Sequence, residues 1–365
     1  MPSRLAPAPP LSSPSQTFVL QANMSENLFK KALYFTDIHF GRNGNAPQAL
    51  IDNIEFLEWA IDEGKARGCD TFIFGGDWHD NRHSIHVSTM HASLQGLQML
   101  NDAFPNSYFI PGNHDLFYRD KRDVSSIEFA RHLPNIHLLR NPKTIGGVTF
   151  LPWLVGDEMK KLKTMKSRYC FAHLEVPGFL MNAKVEMPDS SHAVHPDSFA
   201  NQELVFTGHF HMRQTKQNIV YTGNVMPFNF SDNWDADRGV MVLEWGKDPE
   251  FVSWPGQPLF RTMKLSEMLN EPDRYLTSKL TARVTLDAEI SYEEAAFLRD
   301  NFVTSYGLRK VELVHQQKQE TTGEILGDIT FQSVDQIVMD GLMSVSNIGY
   351  DPAKLVDIYK ALPTL

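Results

Sequence analysis

Aspartate and histidine residues recur in five short motifs within the first 211 residues. In chain order the motifs are Asp37-Ile38-His39, Gly75-Gly76-Asp77, Gly112-Asn113-His114-Asp115, Ala172-His173 and Gly208-His209-Phe210-His211. Their side chains offer carboxylate oxygens, an amide oxygen and imidazole nitrogens, which suit Mn²⁺, Fe²⁺, Zn²⁺ and Mg²⁺, and they include no thiolate. Any one motif alone is more often a turn or a solvated histidine. Five such motifs in succession predict a metal centre.

A short apolar run precedes each motif, and these runs predict the strands that position the chemistry. The runs cover residues 32–35, 71–74, 107–110, 169–172 and 204–207. Amphipathic helical patterns separate the first three runs, at residues 48–66 and 88–100. This alternation predicts α/β organisation, in which ligands collect at the carboxyl ends of the strands. The five motifs are therefore expected to meet in one cleft.

The rest of the chain predicts further strands and an appendage. Apolar runs at residues 148–151, 219–222 and 240–243 have few helices between them and suggest a second sheet packed on the first. After a cluster of turn residues at 254–258, the pattern changes to a strand at 279–286, a helix to residue 306 and a strand at 310–314. Ser291 and Glu294 form a capping box at the start of that helix. This pattern is typical of a small βαβ unit.

The chain therefore divides into four predicted segments. Residues 1–23 are rich in Pro, Ser and Ala and are predicted to be a disordered tail or a tag, and residues 24–255 form the main domain. Residues 260–320 form the appendage, and residues 330–365 form two short C-terminal helices.

Composition limits the classes of function. The formal net charge of −10 argues against coating nucleic acid by bulk electrostatics, so any contact with nucleic acid must be local. No stretch approaches the roughly 20 apolar residues that a membrane-spanning helix needs, which predicts no membrane association. Two cysteines are too few for a disulfide framework and fit a reducing cytoplasm.

The order of the five motifs resembles the signature of the calcineurin-like metallophosphoesterases over residues 32–211. The resemblance implies an α/β (α+β) fold, a two-sheet sandwich flanked by helices. It also implies two divalent metal ions, Mn²⁺ or alternatively Mg²⁺ or Fe²⁺. Two such ions about 4 Å apart can bind both the attacking and the leaving oxygen of an in-line displacement at phosphorus. The implied ligands are Asp37, His39 and His211 for one ion and Asn113, His173 and His209 for the other, with Asp77 bridging. His114 is implied as the catalytic residue that stabilises or protonates the leaving oxygen.

Within that superfamily the chain resembles the SbcD-type nucleases of double-strand-break repair, including the shorter recombination-nuclease subunits of T-even-like phages. The resemblance rests on the residues around the metal motifs and on the run Tyr221-Thr222-Gly223-Asn224. It implies a DNA exonuclease or endonuclease that acts in recombination and repair with an SbcC-type coiled-coil ATPase. The appendage would then cap the DNA, and the C-terminal helices would dock on the ATPase.

Basic residues that follow the motifs are candidates for contact with DNA phosphates. They are Arg42, Arg82, Arg119, Arg122 and Arg213, with His79 as a further candidate beside Asp77. An equally weighted interpretation is that these residues only form a solvent-exposed rim around the site, since arginine side chains are mostly exposed.

Two other classes of function stay open from the sequence. One is a phosphodiesterase or phosphatase that acts on a small molecule or a cyclic nucleotide. The other is a non-catalytic scaffold of the same fold, which the complete set of ligand positions disfavours. The sequence determines neither the physiological metal, nor exonuclease or endonuclease mode, nor whether the protein forms a homodimer.

Overall fold

A computed structural model describes residues 27–181, 185–189, 193–233, 235–288, 290–315, 351 and 354–356. The described residues up to His315 belong to one compact unit, and the described residues 351 and 354–356 belong to a second. The predicted N-terminal tail and most of the predicted C-terminal helices lie outside the described residues. The predicted domain boundaries stay predictions. No helix within the described ranges is long and apolar enough to cross a membrane.

The first sheet has six strands and carries three of the five motifs at its strand ends. In spatial order the strands are β12 (Glu250–Ser253), β11 (Gly239–Glu244), β1 (Lys31–Phe35), β2 (Thr71–Phe74), β3 (Asn106–Phe109) and β4 (Ile136–Leu138). Strands β1 to β4 are parallel, whereas β11 pairs antiparallel with both β1 and β12. The carboxyl ends of β1, β2 and β3 therefore meet at one edge.

Two long helices cover the outer face of this sheet. After the single turn α1 (Arg42–Asn45), α2 (Pro47–Ala66) begins with proline at its first position, where the missing amide hydrogen costs nothing. Helix α3 (Val87–Ala103) follows β2. The apolar face of α2 buries Phe56 and Leu57 against Phe35 and Phe72 of the sheet. The predicted helices at 48–66 and 88–100 are confirmed to within three residues at each end.

The second sheet also has six strands and carries the other two motifs. In spatial order its strands are β5 (Lys143–Ile145), β6 (Val148–Leu151), β7 (Ser167–His173), β8 (Gln202–Gly208), β10 (Ile219–Tyr221) and β9 (Gln214–Lys216). Its inner face packs on the first sheet, where the rings of Tyr34 and Phe171 lie 5.0 Å apart. The implied two-sheet sandwich with flanking helices is confirmed.

The third sheet corresponds to the predicted appendage. Its strands β13 (Leu259–Lys264), β14 (Leu280–Leu286) and β15 (Lys310–His315) are all parallel. Helices α4 (Leu265–Asn270) and α5 (Pro272–Tyr275) connect the first two strands, and α6 (Tyr292–Tyr306) connects the last two. The predicted capping box is confirmed, since Ser291 Oγ accepts from the Glu294 amide at 3.2 Å and Glu294 accepts from the Ser291 amide at 2.8 Å.

Two sequence-based expectations about the strands were wrong. Residues 240–243 belong to the first sheet, because β11 returns beside β1 in antiparallel register instead of joining the second sheet. The appendage also has the extra strand β13, which the sequence did not predict. Strict alternation of buried and partly exposed residues is the signal that identifies a strand with one face in the core. Strand β14 shows this alternation and β13 does not, so β13 could not be recognised from the sequence.

Candidate metal centre

The five motifs converge at the carboxyl ends of strands from both large sheets. Four of their non-glycine residues adopt left-handed backbone conformations, with φ of 55° at Asp37, 48° at His39, 60° at Asp77 and 92° at His209. Such conformations are strained for residues with side chains and persist where the surrounding contacts impose them. Here the Asp37 amide donates to the Gly76 carbonyl at 2.9 Å, which ties the loop after β1 to the loop after β2.

Asp115 is the hub that holds two of these loops together. Its buried carboxylate accepts hydrogen bonds from the amides of Asp77, Trp78, His79 and Gly112 at 2.9–3.1 Å. Burial and the charge of Asp77 raise the pKa of Asp115 to about 7, although these amide donors oppose the shift. Sequence reasoning gave Asp115 no role, because its partners are backbone amides, which have no signature in the sequence.

One potential metal-binding group contains Asp37, His39 and His211. Their ligand atoms all lie within 4.8 Å of one another. Asp37 Oδ1 is 3.7 Å from Nε2 of His39 and 3.8 Å from Nε2 of His211. Both ring nitrogens of His39 are buried without a hydrogen bond of good geometry, and the nearest acceptors are the carboxylates of Asp80 at 3.2 Å from Nδ1 and of Asp37 and Asp77 at 3.7 Å from Nε2. A buried imidazole in this state is expected to serve as a ligand, since buried polar atoms are otherwise nearly always paired.

A second group contains Asp77, His173 and His209, again with ligand atoms within 4.8 Å of one another. The Asn113 amide oxygen lies 3.1 Å from Nε2 of His173 and 2.8 Å from Nδ1 of His209. The four donors implied for the second ion are therefore together. Oxygen and imidazole donors in this number fit a divalent cation such as Mn²⁺, Mg²⁺ or Fe²⁺.

Asp77 lies between the two groups. Its Oδ2 atom is 3.2 Å from Nε2 of His173 and 3.7 Å from Nε2 of His39, which belong to different groups. Its Oδ1 atom accepts from the His114 amide at 2.8 Å, and this bond fixes the orientation of the carboxylate. This position is the one that a bridging carboxylate requires.

Outer contacts orient the imidazoles. His173 Nδ1 lies 2.9 Å from the Gly75 carbonyl, so Nε2 is the nitrogen that faces the second group. His209 Nε2 lies 2.9 Å from Glu175, so Nδ1 is the nitrogen that faces Asn113. Contacts of this kind fix the tautomer of a metal ligand and raise its basicity. Sequence reasoning missed Glu175, although its position two residues after His173 was a usable signal.

The electrostatics of the centre favour positive charge. Burial would raise the pKa of Asp37, but His173 and His39 lower it to about 2, and His173 and His39 likewise hold the pKa of Asp77 well below its usual range. Burial would lower the pKa of His39, but Asp37 and Asp80 raise it to about 10. The pKa of His173 similarly reaches about 9 because of Asp77 and Asp37. The buried carboxylates thus stabilise cations, whether protons or metal ions.

His114 belongs to neither of these two groups, but with His39 and Asp80 it forms a third potential metal-binding group, whose ligand atoms also lie within 4.8 Å of one another. Its Nδ1 lies 2.5 Å from the Asp80 carbonyl oxygen, so Nδ1 is the donor and Nε2 is free to face a substrate. Its ring lies edge-on to that of His39, with centroids 5.0 Å apart. The Asp80 carboxylate in turn lies 3.2 Å from Nδ1 of His39. Asp80, which the sequence reasoning did not assign, therefore contacts a predicted ligand and the predicted catalytic residue.

Three of the predicted DNA-contacting residues are buried and engaged with protein groups. The Arg42 guanidinium bonds to Asn53 and lies 4.8 Å from the ring centroid of Phe228. Arg122 bonds to Glu158. The His79 ring lies between Ser93 and Ser126, at 2.8 and 2.9 Å, and burial lowers its pKa to about 3. Neutral His79 thus supports the loop from outside the ligand groups.

The other three lie at the surface. Arg213 pairs with Asp237 and lies 4.1 Å from the ring centroid of Phe251. Arg82 is half-buried and Arg119 is exposed, and neither forms an ion pair with any described residue. Of the six candidates, Arg82 and Arg119 are therefore the ones whose charge is available to a ligand.

Comparisons with known proteins agree with this geometry. Residues 30–240 match the calcineurin-like phosphoesterase family. Exonuclease subunit 1 of Enterobacteria phage T4 is 28% identical over 223 residues, which are 59% of this chain and 64% of that protein. The alignment thus spans slightly less than two thirds of the phage protein.

Solved structures show weaker similarity. The protein TT1561 of Thermus thermophilus has 13% identity and a TM-score of 0.39, and the match covers 62% of this chain and 99% of that one. The nuclease MPE of Pseudomonas putida has 15% identity and a TM-score of 0.27, and the match covers 49% of this chain and 61% of that one. The family match, which covers more than half of the sequence, is decisive: the chain belongs to the calcineurin-like phosphoesterases.

Proposed function

We propose that this phosphoesterase is a two-metal DNA nuclease that hydrolyses phosphodiester bonds during DNA recombination or repair. The observation that carries the proposal is the position of Asp77. Its Oδ2 faces histidines of both ligand groups, and its Oδ1 accepts from the amide of His114. One buried carboxylate thus links both cation sites to the residue proposed to transfer a proton.

The residues divide the chemistry between them. Two divalent cations held by Asp37, His39, Asp77, Asn113, His173, His209 and His211 would supply positive charge to the scissile phosphate and activate a water molecule. His114 Nδ1 donates a hydrogen bond to the Asp80 carbonyl oxygen, so Nε2 is the atom that gives a proton to the leaving oxygen. Histidine suits this step because one imidazole nitrogen can donate a proton while the other is held by a hydrogen bond.

DNA is proposed as the substrate on two grounds. The phage T4 relative is an exonuclease subunit by name, although the alignment covers only part of it. Arg82 and Arg119, in the loops that follow Asp77 and His114, carry charges with no protein counterion among the described residues. Phosphate contacts of this kind give local affinity to a chain whose net charge is −10.

An SbcC-type ATPase is proposed as the partner. The relative's name describes a subunit, which implies a complex for that protein. The residues proposed to dock on the ATPase, 330–365, lie almost entirely outside the described ranges. The proposal is tested by co-purifying the ATPase with the full-length chain and with a chain that ends at residue 329. Retention of the ATPase by the shortened chain would contradict it.

Cleavage of linear double-stranded DNA with Mn²⁺ tests the nuclease proposal. The purified protein and its Asp77→Asn variant are assayed on DNA and on a generic phosphodiester, and metal stoichiometry is measured by calorimetry. Cleavage of DNA by the wild type alone, with metal binding weakened in the variant, is the expected result. Hydrolysis of the small substrate without any cleavage of DNA would leave the phosphoesterase assignment intact and contradict the nuclease.

A further inference from the structure

The loop after His114 projects from the metal centre as a hairpin-like excursion. The Ser126 amide donates to the Asp115 carbonyl at 2.8 Å, and the Phe117 amide donates to the Val124 carbonyl at 3.1 Å. Leu116 at the base of the loop is fully buried. The base is therefore fixed by the same segment that positions His114, and residues 117–121 form the exposed tip.

The tip displays two adjacent aromatic side chains. Phe117 and Tyr118 are 40% and 38% exposed, and their rings are perpendicular with centroids 4.9 Å apart. Only two other phenylalanine or tyrosine side chains are exposed within the described residues, Phe297 and Tyr306. Two exposed rings side by side, outside every apolar core cluster, contribute little to folding and are available to a ligand.

Cationic residues follow these rings in the sequence. The Lys121 ammonium lies 4.2 Å from the centroid of the Tyr118 ring, and Arg119 between them is exposed without an ion pair. Asp120 and Asp123 offset part of this charge, and Asp123 lies 3.7 Å from Lys121 in an exposed pair that contributes little. Exposed rings interleaved with cations are the combination that binds single-stranded nucleic acid.

The tip is also close to the reacting centre. Phe117 is three residues from His114, so their Cα atoms are at most about 11 Å apart. The Phe117 ring meets the edge of His83, with centroids 5.5 Å apart, and His83 follows the motif of Asp77. The aromatic pair therefore lies between the two loops that carry the bridging carboxylate and the catalytic histidine.

We propose that Phe117 and Tyr118 stack on unpaired bases at the end of a DNA strand, and that Arg119 neutralises the adjacent phosphate. The inference rests on the proposed nuclease function and specifies its substrate as a strand end with unpaired bases. Stacking tolerates any base sequence, because every base has a flat face. A platform next to His114 would hold the strand end while a nearby phosphodiester enters the metal centre.

The test compares a forked duplex with unpaired arms and the same fork with abasic arms. The wild type, the Phe117→Leu/Tyr118→Leu variant and a Phe297→Leu control are measured by fluorescence anisotropy in Ca²⁺ and by cleavage in Mn²⁺. Phe297 is a matched control because it is exposed but lies beside Glu293 and Glu294 on α6, where a phosphate is disfavoured. A 2-aminopurine base in the arm reports stacking directly by its fluorescence.

The wild type and the control are expected to prefer arms with bases by about tenfold, and the double variant is expected to lose this preference. Tyr118→Trp, which enlarges the ring, is expected to keep or increase it. The inference is overturned if the double variant keeps the preference for arms with bases. It is also overturned if the wild type cuts DNA but shows no such preference, and in both cases the nuclease proposal stands. Failure of the wild type to bind or cut any DNA overturns the nuclease proposal as well.

Discussion

At the scale of the residue, the role proposed for His114 is transfer of a proton, and metal affinity and catalysis can be measured separately in a variant of this residue. The His114 ring bonds to the Asp80 carbonyl and its amide bonds to Asp77. His114 is absent from the two groups that contain the implied ligands, and it lies with His39 and Asp80 in a third group. We expect His114→Ala to keep the metal affinity within about twofold and to lower kcat by about 10²–10⁴-fold, the range for loss of a general acid. Calorimetry with Mn²⁺ and single-turnover cleavage separate the two effects. Loss of metal binding, or unchanged cleavage, would contradict the assigned role.

Glu175 is a positioning residue for the second predicted metal ion. Its carboxylate lies 2.9 Å from Nε2 of His209 and leaves Nδ1 to face Asn113. We expect Glu175→Gln to weaken metal affinity about tenfold. Residues that hydrogen-bond the second ring nitrogen of a ligand histidine typically change metal affinity by about 10–100-fold when they are mutated. The matched control is Glu203→Gln on β8, whose side chain pairs with Arg168 at the surface. Equal metal affinities for the two variants in a Mn²⁺ titration would argue against the role.

The raised pKa values of His39 and His173, about 10 and 9, predict how metal affinity depends on pH. Without metal, both imidazoles carry a second proton below about pH 9 and are positively charged. Each must lose that second proton to become a metal ligand. Apparent affinity should therefore rise with pH up to about 9, with release of up to two protons. Calorimetry in buffers of different ionisation enthalpy counts these protons. Affinity that does not change between about pH 6 and 9 would contradict the prediction.

At the scale of the element, the active loops depend on Asp115. Four backbone amides from the loops after β2 and β3 donate to its carboxylate. Each oxygen of the Asp115 carboxylate accepts from two of these amides, and in Asp115→Asn one oxygen becomes an NH₂ group that cannot accept, so two buried donors lose their partner. We expect the free energy of unfolding to fall by about 2–4 kcal/mol, the cost of unpaired buried groups near a charge. Urea unfolding, with the exposed Asp123→Asn as control, measures the difference.

The sequence predicted the elements that carry a clear periodicity. The apolar runs before Asp37, Asp77 and His173 are strands, and the alternating residues of β14 mark the appendage. Contacts through the backbone were not predictable, because Asp80 acts on His114 through its carbonyl and Asp115 acts on amides. The sheet to which β11 belongs was also predicted wrongly, because the periodicity of apolar residues identifies a strand but not the sheet that it joins.

At the scale of the whole molecule, a buried charge network joins the appendage to the loop beside the metal centre. Arg309, next to β15, bonds to Asp52 on α2 through both terminal nitrogens, and one bond measures 2.7 Å. Asp52 lies 3.7 Å from Arg42, which contacts the ring of Phe228. That ring in turn lies edge-on to His39, with centroids 5.5 Å apart. The contacts are continuous from the third sheet to a predicted metal ligand.

This network predicts the effect of removing its central charge. Asp52→Ala leaves the guanidinium of Arg42, which is only 4% exposed, without its counterion, and it frees Arg309 from α2. We expect stability to fall by about 3–5 kcal/mol, the cost of breaking a buried ion pair from one side. Cleavage by protease near residues 255–258, between the main domain and the appendage, should also become faster. The exposed Asp62→Ala on the same helix is the control, and identical proteolysis and unfolding of the two variants would show that the network does not hold the appendage in place.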